Sequence, residues 1–411
     1  MKRTLLAVFA VALGVRLAYV ALEGRGERER VLDAEDYHQY AVGLVEKGEY
    51  VNASGDRAWR MPGYPLALAA QYATIGRSPL ATQFGQCLLG ALTCVLLAAL
   101  AARWSSPPWP LAAGLLAAFS VDLVRPCARL LTEGPAAFFL TLTLWLLVDD
   151  RALKTRRAAL AGLAAAAAYL LRPELGPWAV LAALHAGWRS KTRRAAAMLA
   201  APLIVALAWG ARNTLVLGRS VTTTTAGSFN LYGWGVPRTV EERLSGPRWE
   251  RAPEFAPETV RQDFYSTRVR RYFLMDGQAG NIVKALSVNL AVLYYPFDPA
   301  LDPTFLFLAP FVLLGLWATR EDGRRRLLTL TLAYLTAVYM LAGVMIPRHR
   351  QTYAGVLVLL AVAGLERLYT RLHRCAFAAA AGGWATLCAA AWAFAPWLRS
   401  VVLALRDRVL S

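Results

Sequence analysis

The chain has 411 residues, 57% of them hydrophobic and 18% charged, whereas soluble globular chains carry about 25% charged residues. That balance excludes an ordinary soluble domain and predicts a multi-span membrane protein. The formal charge of +18 does not indicate nucleic acid, because Arg and Lys cluster in short links between apolar runs, where charge sets membrane topology.

A bilayer-crossing helix needs roughly 20 mostly apolar residues. The apolar runs predict about eleven spans, near residues 4–22, 79–102, 108–123, 128–148, 157–171, 175–188, 195–216, 304–319, 327–346, 352–369 and 376–396. The first follows a charged M-K-R start, yet its run is long and no cleavage site follows, so it is expected as an uncleaved span. Residues 64–76 are apolar but too short to cross, which predicts a re-entrant or surface helix. Cys87, Cys94, Cys127, Cys375 and Cys388 lie in or beside apolar runs without C-x-x-C spacing. They are expected as small core residues rather than disulfides or metal ligands.

Orientation follows from the loops. Residues 2–3, 103, 149–157, 188–194, 319–326 and 366–374 hold 18 Lys and Arg, whereas 122–129, 172–174 and 346–351 hold 5. The positive-inside rule puts the first set in the cytoplasm. Long loops escape that rule, and both 23–63 and 217–303 then fall on the outer face. The chain divides into an N-terminal membrane module (1–216) with a first outer loop (23–65), an outer cap (217–303) and a C-terminal membrane module (304–411). Within the cap, T-T-T-T-A-G-S-F-N-L-Y-G-W-G-V-P is expected as a loop and 257–285 as a partly helical stretch. The C-terminal W-L-R-S-V-V-L-A-L-R-D-R-V-L is amphipathic and is expected to lie on the membrane surface.

This topology gathers an unusual number of charges on one side. Charges at membrane depth are costly and usually face an interior cavity, so a polar site is expected at the outer face. A helix over 33–47 sets Asp33, Tyr37 and Tyr40 on one face. Asp33 there is either a general base for a hydroxyl acceptor or a helix N-cap; Asp36, out of register, is expected to be solvated. Arg60 precedes M-P-G-Y-P, whose prolines and glycine fix the backbone. It suits a phosphate, gripped bidentately, or lipid headgroups. Arg125, Arg129 and Glu133 are spaced by four at the start of the fourth span. Glu133 is expected about a turn inside the helix, paired with Arg129, either as a structural ion pair or as a group orienting the acceptor. Arg172-Pro173-Glu174 forms an outer turn, and Arg348-His349-Arg350 forms another cationic cluster; phosphate contact and interfacial anchoring both remain open for these. His349 stands where it could titrate near neutrality. His38, His185 and His373 are isolated and support no metal site, and no Walker loop, G-x-S-x-G or H-E-x-x-H occurs.

The order of D-x-x-x-Y, P-G-Y-P, L-T-E-G-P, R-P-E, A-R-N-T-L-V-L-G, T-A-G-S-F-N-L-Y-G and P-R-H-R-Q, between about residues 1 and 365, resembles the GT-C type membrane glycosyltransferases. The likeness is to bacterial relatives of protein O-mannosyltransferases and of the lipid A aminoarabinose transferase, in glycosyltransferase family 39. It implies an all-α polytopic GT-C bundle with outer-face loop helices in a bacterial inner membrane. It also implies inverting transfer of a sugar from a polyprenyl-phosphate donor to a lipid, glycan or protein acceptor on the extracytoplasmic face. No metal, nucleotide or other cofactor is expected, and no nucleic-acid partner. Asp33 matches the catalytic aspartate and Glu133 the acid of the T-E-P segment. Asp36, Tyr37, Arg60, Tyr64, Arg129, Arg172, Arg348, His349 and Arg350 make up the expected substrate-binding set. The chain departs from the pattern at Ala34, at Met61 and at His349, which stands in place of a tyrosine. A lipid-linked sugar transporter or flippase, or a non-catalytic GT-C relative, is the alternative; transporters tend to show inverted repeats and broken helices at mid-membrane.

Overall fold

The apolar runs fold as α-helices, the form in which a segment satisfies all of its own backbone hydrogen bonds away from water. The structure is a computed structural model and describes residues 1–23, 32–148, 154–189, 192–232, 252–253, 256–274, 279–296, 301–320, 322, 325–342, 347–397 and 400. Its helices are α1 (Lys2–Glu23), α2 (Leu32–Lys47), α3 (Gly63–Thr74), α4 (Pro79–Ala101), α5 (Trp109–Phe119), α6 (Val121–Val124), α7 (Glu133–Leu147), α8 (Thr155–Leu171) and α9 (Leu175–Arg189). They continue as α10 (Thr192–Leu217), α11 (Gly227–Asn230), α12 (Glu258–Leu274), α13 (Ala279–Leu293), α14 (Pro303–Thr319), α15 (Arg326–Ala342), a 3₁₀ segment Pro347–Tyr353, α16 (Ala354–Arg371) and α17 (Arg374–Ala393). No β-strand occurs among the described residues.

Each of the eleven expected spans coincides with a helix, but length and apolarity mark fewer crossings. Among the described residues five segments qualify, Lys2–Glu23, Pro79–Ala101, Thr192–Leu217, Arg348–Arg371 and Arg374–Ala393. The pair Trp109–Phe119 and Val121–Cys127, bent by 68°, makes a sixth if taken as one broken span. The segments Glu133–Leu147, Leu175–Ala186, Pro303–Thr319 and Arg326–Leu341 are apolar but only 10–17 residues long. Residues 64–76 do form a short helix, α3. In the cap, α12 and α13 cover most of 257–285, while the expected Thr-rich loop contains α11; its G-W-G-V-P end and most of the C-terminal amphipathic stretch lie outside the described residues. Cys87, Cys94, Cys127 and Cys388 are buried as expected, whereas Cys375 is exposed at the start of α17.

The core runs through α4 and α16. Helix α4 packs against α1, α5 and α7, α8 lies between α7 and α10, and α14 lies along α16. Residues 354–365 of α16 are buried all round, the pattern of a helix at the centre of a bundle. By contrast, α1, α10 and α17 are largely unburied, leaving their apolar faces for lipid.

The break between α5 and α6 leaves backbone carbonyls without helical partners. Arg16 of α1, fully buried, supplies donors to them: its guanidinium reaches Leu123 O at 3.1 Å, Ala118 O at 3.4 Å and its own Ala12 O at 3.0 Å. A charge that sequence patterning hides in the first span thus holds a bent one.

Helices α14 and α16 meet at two glycines. A Cβ at Gly315 would stand 1.9 Å from Leu360 O, and one at Gly364 would stand 2.1 Å from Phe311 O. Both obstacles are backbone, so only helix separation relieves them, and overpacking of this kind costs roughly 1–3 kcal/mol or more. Gly364→Leu is therefore expected to lower the melting temperature in detergent, whereas Gly383→Leu, with no atom within 4 Å of its Cβ, leaves it near wild type.

Candidate active site

The segment between α2 and α3 is pinned almost residue by residue. Glu258, at the start of α12, accepts from Arg57 N at 2.7 Å, Ala58 N at 3.1 Å and Thr225 Oγ1 at 2.8 Å. Thr225 N donates to Ala58 O at 2.9 Å. The Tyr40 hydroxyl accepts from Trp59 N at 3.1 Å, and that of Tyr50 donates to Arg60 O at 2.9 Å. Arg261 of α12 pairs with Asp56 and lies over the Trp59 ring at 5.0 Å. One residue past Pro62, Gly63 lets the loop touch α8: a Cβ there would stand 2.6 Å from Leu170 O. Arg60 is thereby fixed beside the Arg172 turn before any ligand arrives, the preorganisation a binding group needs.

From Arg60 a continuous chain of alternating charges crosses the site. Asp36 accepts from Arg60 at 2.7 and 2.9 Å, and Arg60 donates to Asp33 at 2.6 Å. The other oxygen of Asp33 accepts from Arg348 at 2.5 Å. Arg348 and Arg172 each stand 3.1 Å from Glu133 Oε1, and Arg172 donates to Glu174 at 2.6 Å. Each guanidinium thus sits between two carboxylates, which is what makes burying so many ions tolerable. All of this chain but Asp36 lines a cavity of about 280 Å³, to which Thr223, Thr224 and Asn230 of the cap and Tyr339 of α15 also contribute.

The two aspartates of α2 are shifted in opposite directions. Burial pushes the Asp33 carboxyl up, but Arg60 and Arg348 outweigh it and hold the group down to about 2. For Asp36, burial prevails over Arg60 and raises the carboxyl above its usual value.

Several expected residues stand elsewhere or do other work. Asp33 gives both oxygens to arginines instead of capping α2. Asp36 is a partner of Arg60 and not merely solvated. Tyr37 lines the cavity beneath Arg60, 5.7 Å from its guanidinium. Tyr64 packs on Tyr37 with centroids 5.3 Å apart and donates to Gln86 at 3.3 Å, outside the cavity lining. Glu133 is the first residue of α7 rather than a turn inside it, because Arg125–Cys127 is a 3₁₀ turn. It therefore does not share a helical face with Arg129, which stays off the cavity lining. Arg350 is turned away: it binds Asp122 at 2.5 Å and Asp302 at 3.5 Å and covers the Phe305 ring at 3.6 Å. His349 lines the cavity and meets Arg172 at 2.7 Å. Glu174 and Tyr339, joined at 2.8 Å, belong to the site but were missed as binding residues; the R-P-E turn signals the first, and nothing in the apolar run around Tyr339 signals the second. Among the described residues no group of three or more His, Cys, Asp or Glu could hold a metal ion.

This arrangement of helices is similar in fold to an archaeal oligosaccharyltransferase. It is similar to the archaeal oligosaccharyltransferase AglB of Archaeoglobus fulgidus in complex with an inhibitory peptide and a dolichol-phosphate, at TM-score 0.51 and 11% identity over 94% of this chain and 54% of that one. The A. fulgidus oligosaccharyltransferase with Zn and sulfate matches at TM-score 0.50 and 13% identity, over 95% of this chain and 52% of that one. The same enzyme tethered to an acceptor peptide containing the NVT sequon matches at 0.50 and 12%, over 96% and 54%. The chain thus spans just over half the length of these proteins, and the likeness is one of fold. No protein-family model and no curated protein sequence matches it.

The Asp33 pKa has a consequence for stability. Its folded value, about 2, lies below the ordinary 3.8, so its contribution is present above about pH 4 and is lost as the pH falls toward 2. The stability gap between wild type and Asp33→Asn in detergent, about 2 kcal/mol at neutral pH, is expected to hold from pH 7 to 5 and to close between pH 4 and 2. A gap that closes near pH 6 would contradict the assignment.

Proposed function

We propose that the protein is an integral-membrane inverting glycosyltransferase of GT-C type, related to protein mannosyltransferases and the aminoarabinose transferase. It moves a sugar from a polyprenyl-phosphate carrier to an acceptor hydroxyl of a lipid, glycan or protein on the extracytoplasmic face of a bacterial inner membrane, which the chain crosses about eleven times. The observation that carries the reading is the alternating chain of charges lining a small cavity next to an apolar groove. The groove, about 600 Å³, is lined by residues of α3, α4, α7 and α8, and Leu171 lines both spaces. A ligand with a charged head and a prenyl tail suits that pairing, and dolichol-phosphate in the A. fulgidus enzyme is a molecule of this kind.

In this mechanism the donor phosphate takes Arg60 and Arg348 from Asp33. The carboxylate loses the two charges that keep it a weak base, and so gains basicity only when donor is present. Asp33 then accepts the proton of the acceptor hydroxyl, whose oxygen attacks the anomeric carbon from the face opposite the phosphate. The anomeric C–O bond breaks, its electron pair leaves on the carrier phosphate, and the configuration inverts. Arg60, Arg348 and Arg172 stabilise the charge that develops there, while Glu133 holds the last two in place.

The test is transfer by the purified full chain in lipid nanodiscs, given a panel of radiolabelled polyprenyl-phosphate sugars and membrane extract. One donor is expected to label an acceptor with inversion. Asp33→Asn is expected to lower the rate by about 10²–10⁴, the usual worth of a general base. Full transfer by that variant, with wild type active alongside, would sink the proposal.

A further inference from the structure

His349 stands where the family pattern has a tyrosine, and its ring is held in a closed ring of contacts. Its Nδ1 lies 2.7 Å from an Arg172 nitrogen, Arg172 donates to Glu174 at 2.6 Å, and Glu174 accepts from the Tyr339 hydroxyl at 2.8 Å. Tyr339 in turn stacks on the imidazole, centroids 5.0 Å apart and planes inclined by 29°. A guanidinium has donors and no acceptor, so Nδ1 must accept. That fixes the tautomer: the imidazole is neutral and carries its proton on Nε2.

The Nε2–H is buried and has no partner among the described residues, in a side chain that lines the cavity and is 7% exposed. Leaving a buried donor unpaired is costly, and here the cost is borne beside two guanidiniums, Arg172 and Arg348. An oxygen that carries negative charge is the acceptor such surroundings favour. We propose that His349 binds the carrier phosphate of the donor as a neutral imidazole, donating its Nε2–H to a phosphate oxygen, a role that rests on the glycosyltransferase reading above. It adds a directional hydrogen bond without adding charge. The groups facing it are Arg172 and Glu174 from the turn between α8 and α9, Glu133 from α7, Asp33 from α2, Tyr339 from α15 and its neighbour Arg348; protonation of the ring would set a third cation against two.

The experiment measures binding of undecaprenyl phosphate, which carries no sugar, to the full chain in nanodiscs between pH 5.5 and 8. His349→Gln sets an amide N–H near the place of Nε2 and is expected to bind within about threefold of wild type. His349→Asn preserves only the acceptor toward Arg172, and is expected to weaken binding about tenfold, as the loss of a hydrogen bond to a charged group does. Wild type and His349→Gln are expected to show superimposable pH profiles. Equal affinities for the Gln and Asn variants, or an inflection near pH 6–7 in wild type that the Gln variant lacks, overturns the proposal. Binding that ignores His349 overturns this proposal alone, whereas no binding by wild type overturns the glycosyltransferase reading with it.

Discussion

The site depends on one carboxylate held by two arginines. Asp33 comes from the first turn of α2, Arg60 from the segment between α2 and α3 and Arg348 from the 3₁₀ segment before α16, and these three parts are joined at 2.6 and 2.5 Å. The rest of the charge chain extends from this junction, through Asp36 on one side and through Glu133, Arg172 and Glu174 on the other. Its seven ions alternate in sign, and its ends are both acidic. Among the described residues that line the cavity every arginine is already paired, so an anion that enters must replace a carboxylate. In the proposed function that exchange is the switch: Asp33 stands in for the donor phosphate until the phosphate arrives, which discourages the base from acting without donor.

Two further buried arginines show how the scaffold presents that junction. Arg350, two residues beyond Arg348, is only 2% exposed and ties Asp122 of α6 to Asp302 at the start of α14. Asp302 also caps α14, accepting from Thr304 N and Phe305 N at 3.0 and 2.9 Å. Arg16 braces the bend between α5 and α6 that delivers Asp122 to Arg350. The 3₁₀ segment is thus anchored on one side by Arg350 and offers Arg348 and His349 on the other, while Glu258 and Arg261 of the cap hold the opposite partner, Arg60.

How much of this the sequence reveals depends on the distance over which each feature is encoded. Asp33, Tyr37 and Arg60 lie in one loop, where helical spacing and a Pro-Gly turn are local and legible, as were the helical segments themselves. Glu133 was legible as a buried acid, but its partner was not: spacing by four points to Arg129 only if the helix is continuous, and the 3₁₀ turn at Arg125–Cys127 interrupts it. Its actual partners are 39 and 215 residues away in the chain, Arg172 and Arg348. Asp36 seemed out of register because helical spacing ignores the breadth of a guanidinium fork, which reaches both aspartates. The cluster Arg348 to Arg350 looked uniform, yet with about three residues per turn in a 3₁₀ helix its first and last members face different ways. Composition marks apolar runs without fixing how long a straight helix each one forms, so the eleven runs coincide with helices while five to six of these, among the described residues, are long and apolar enough to cross by that measure.

The exchange of partners at Asp33 is tested most directly by removing the internal anion and measuring the external one. Asp33→Asn keeps the shape of the side chain and discharges it, so Arg60 and Arg348 each lose one of their two carboxylates, keeping Asp36 and Glu133 respectively. Undecaprenyl phosphate is then expected to bind the variant about tenfold more tightly than wild type, a gain of about 1.4 kcal/mol, at neutral pH and low salt. Equal or weaker binding by the variant would contradict the account.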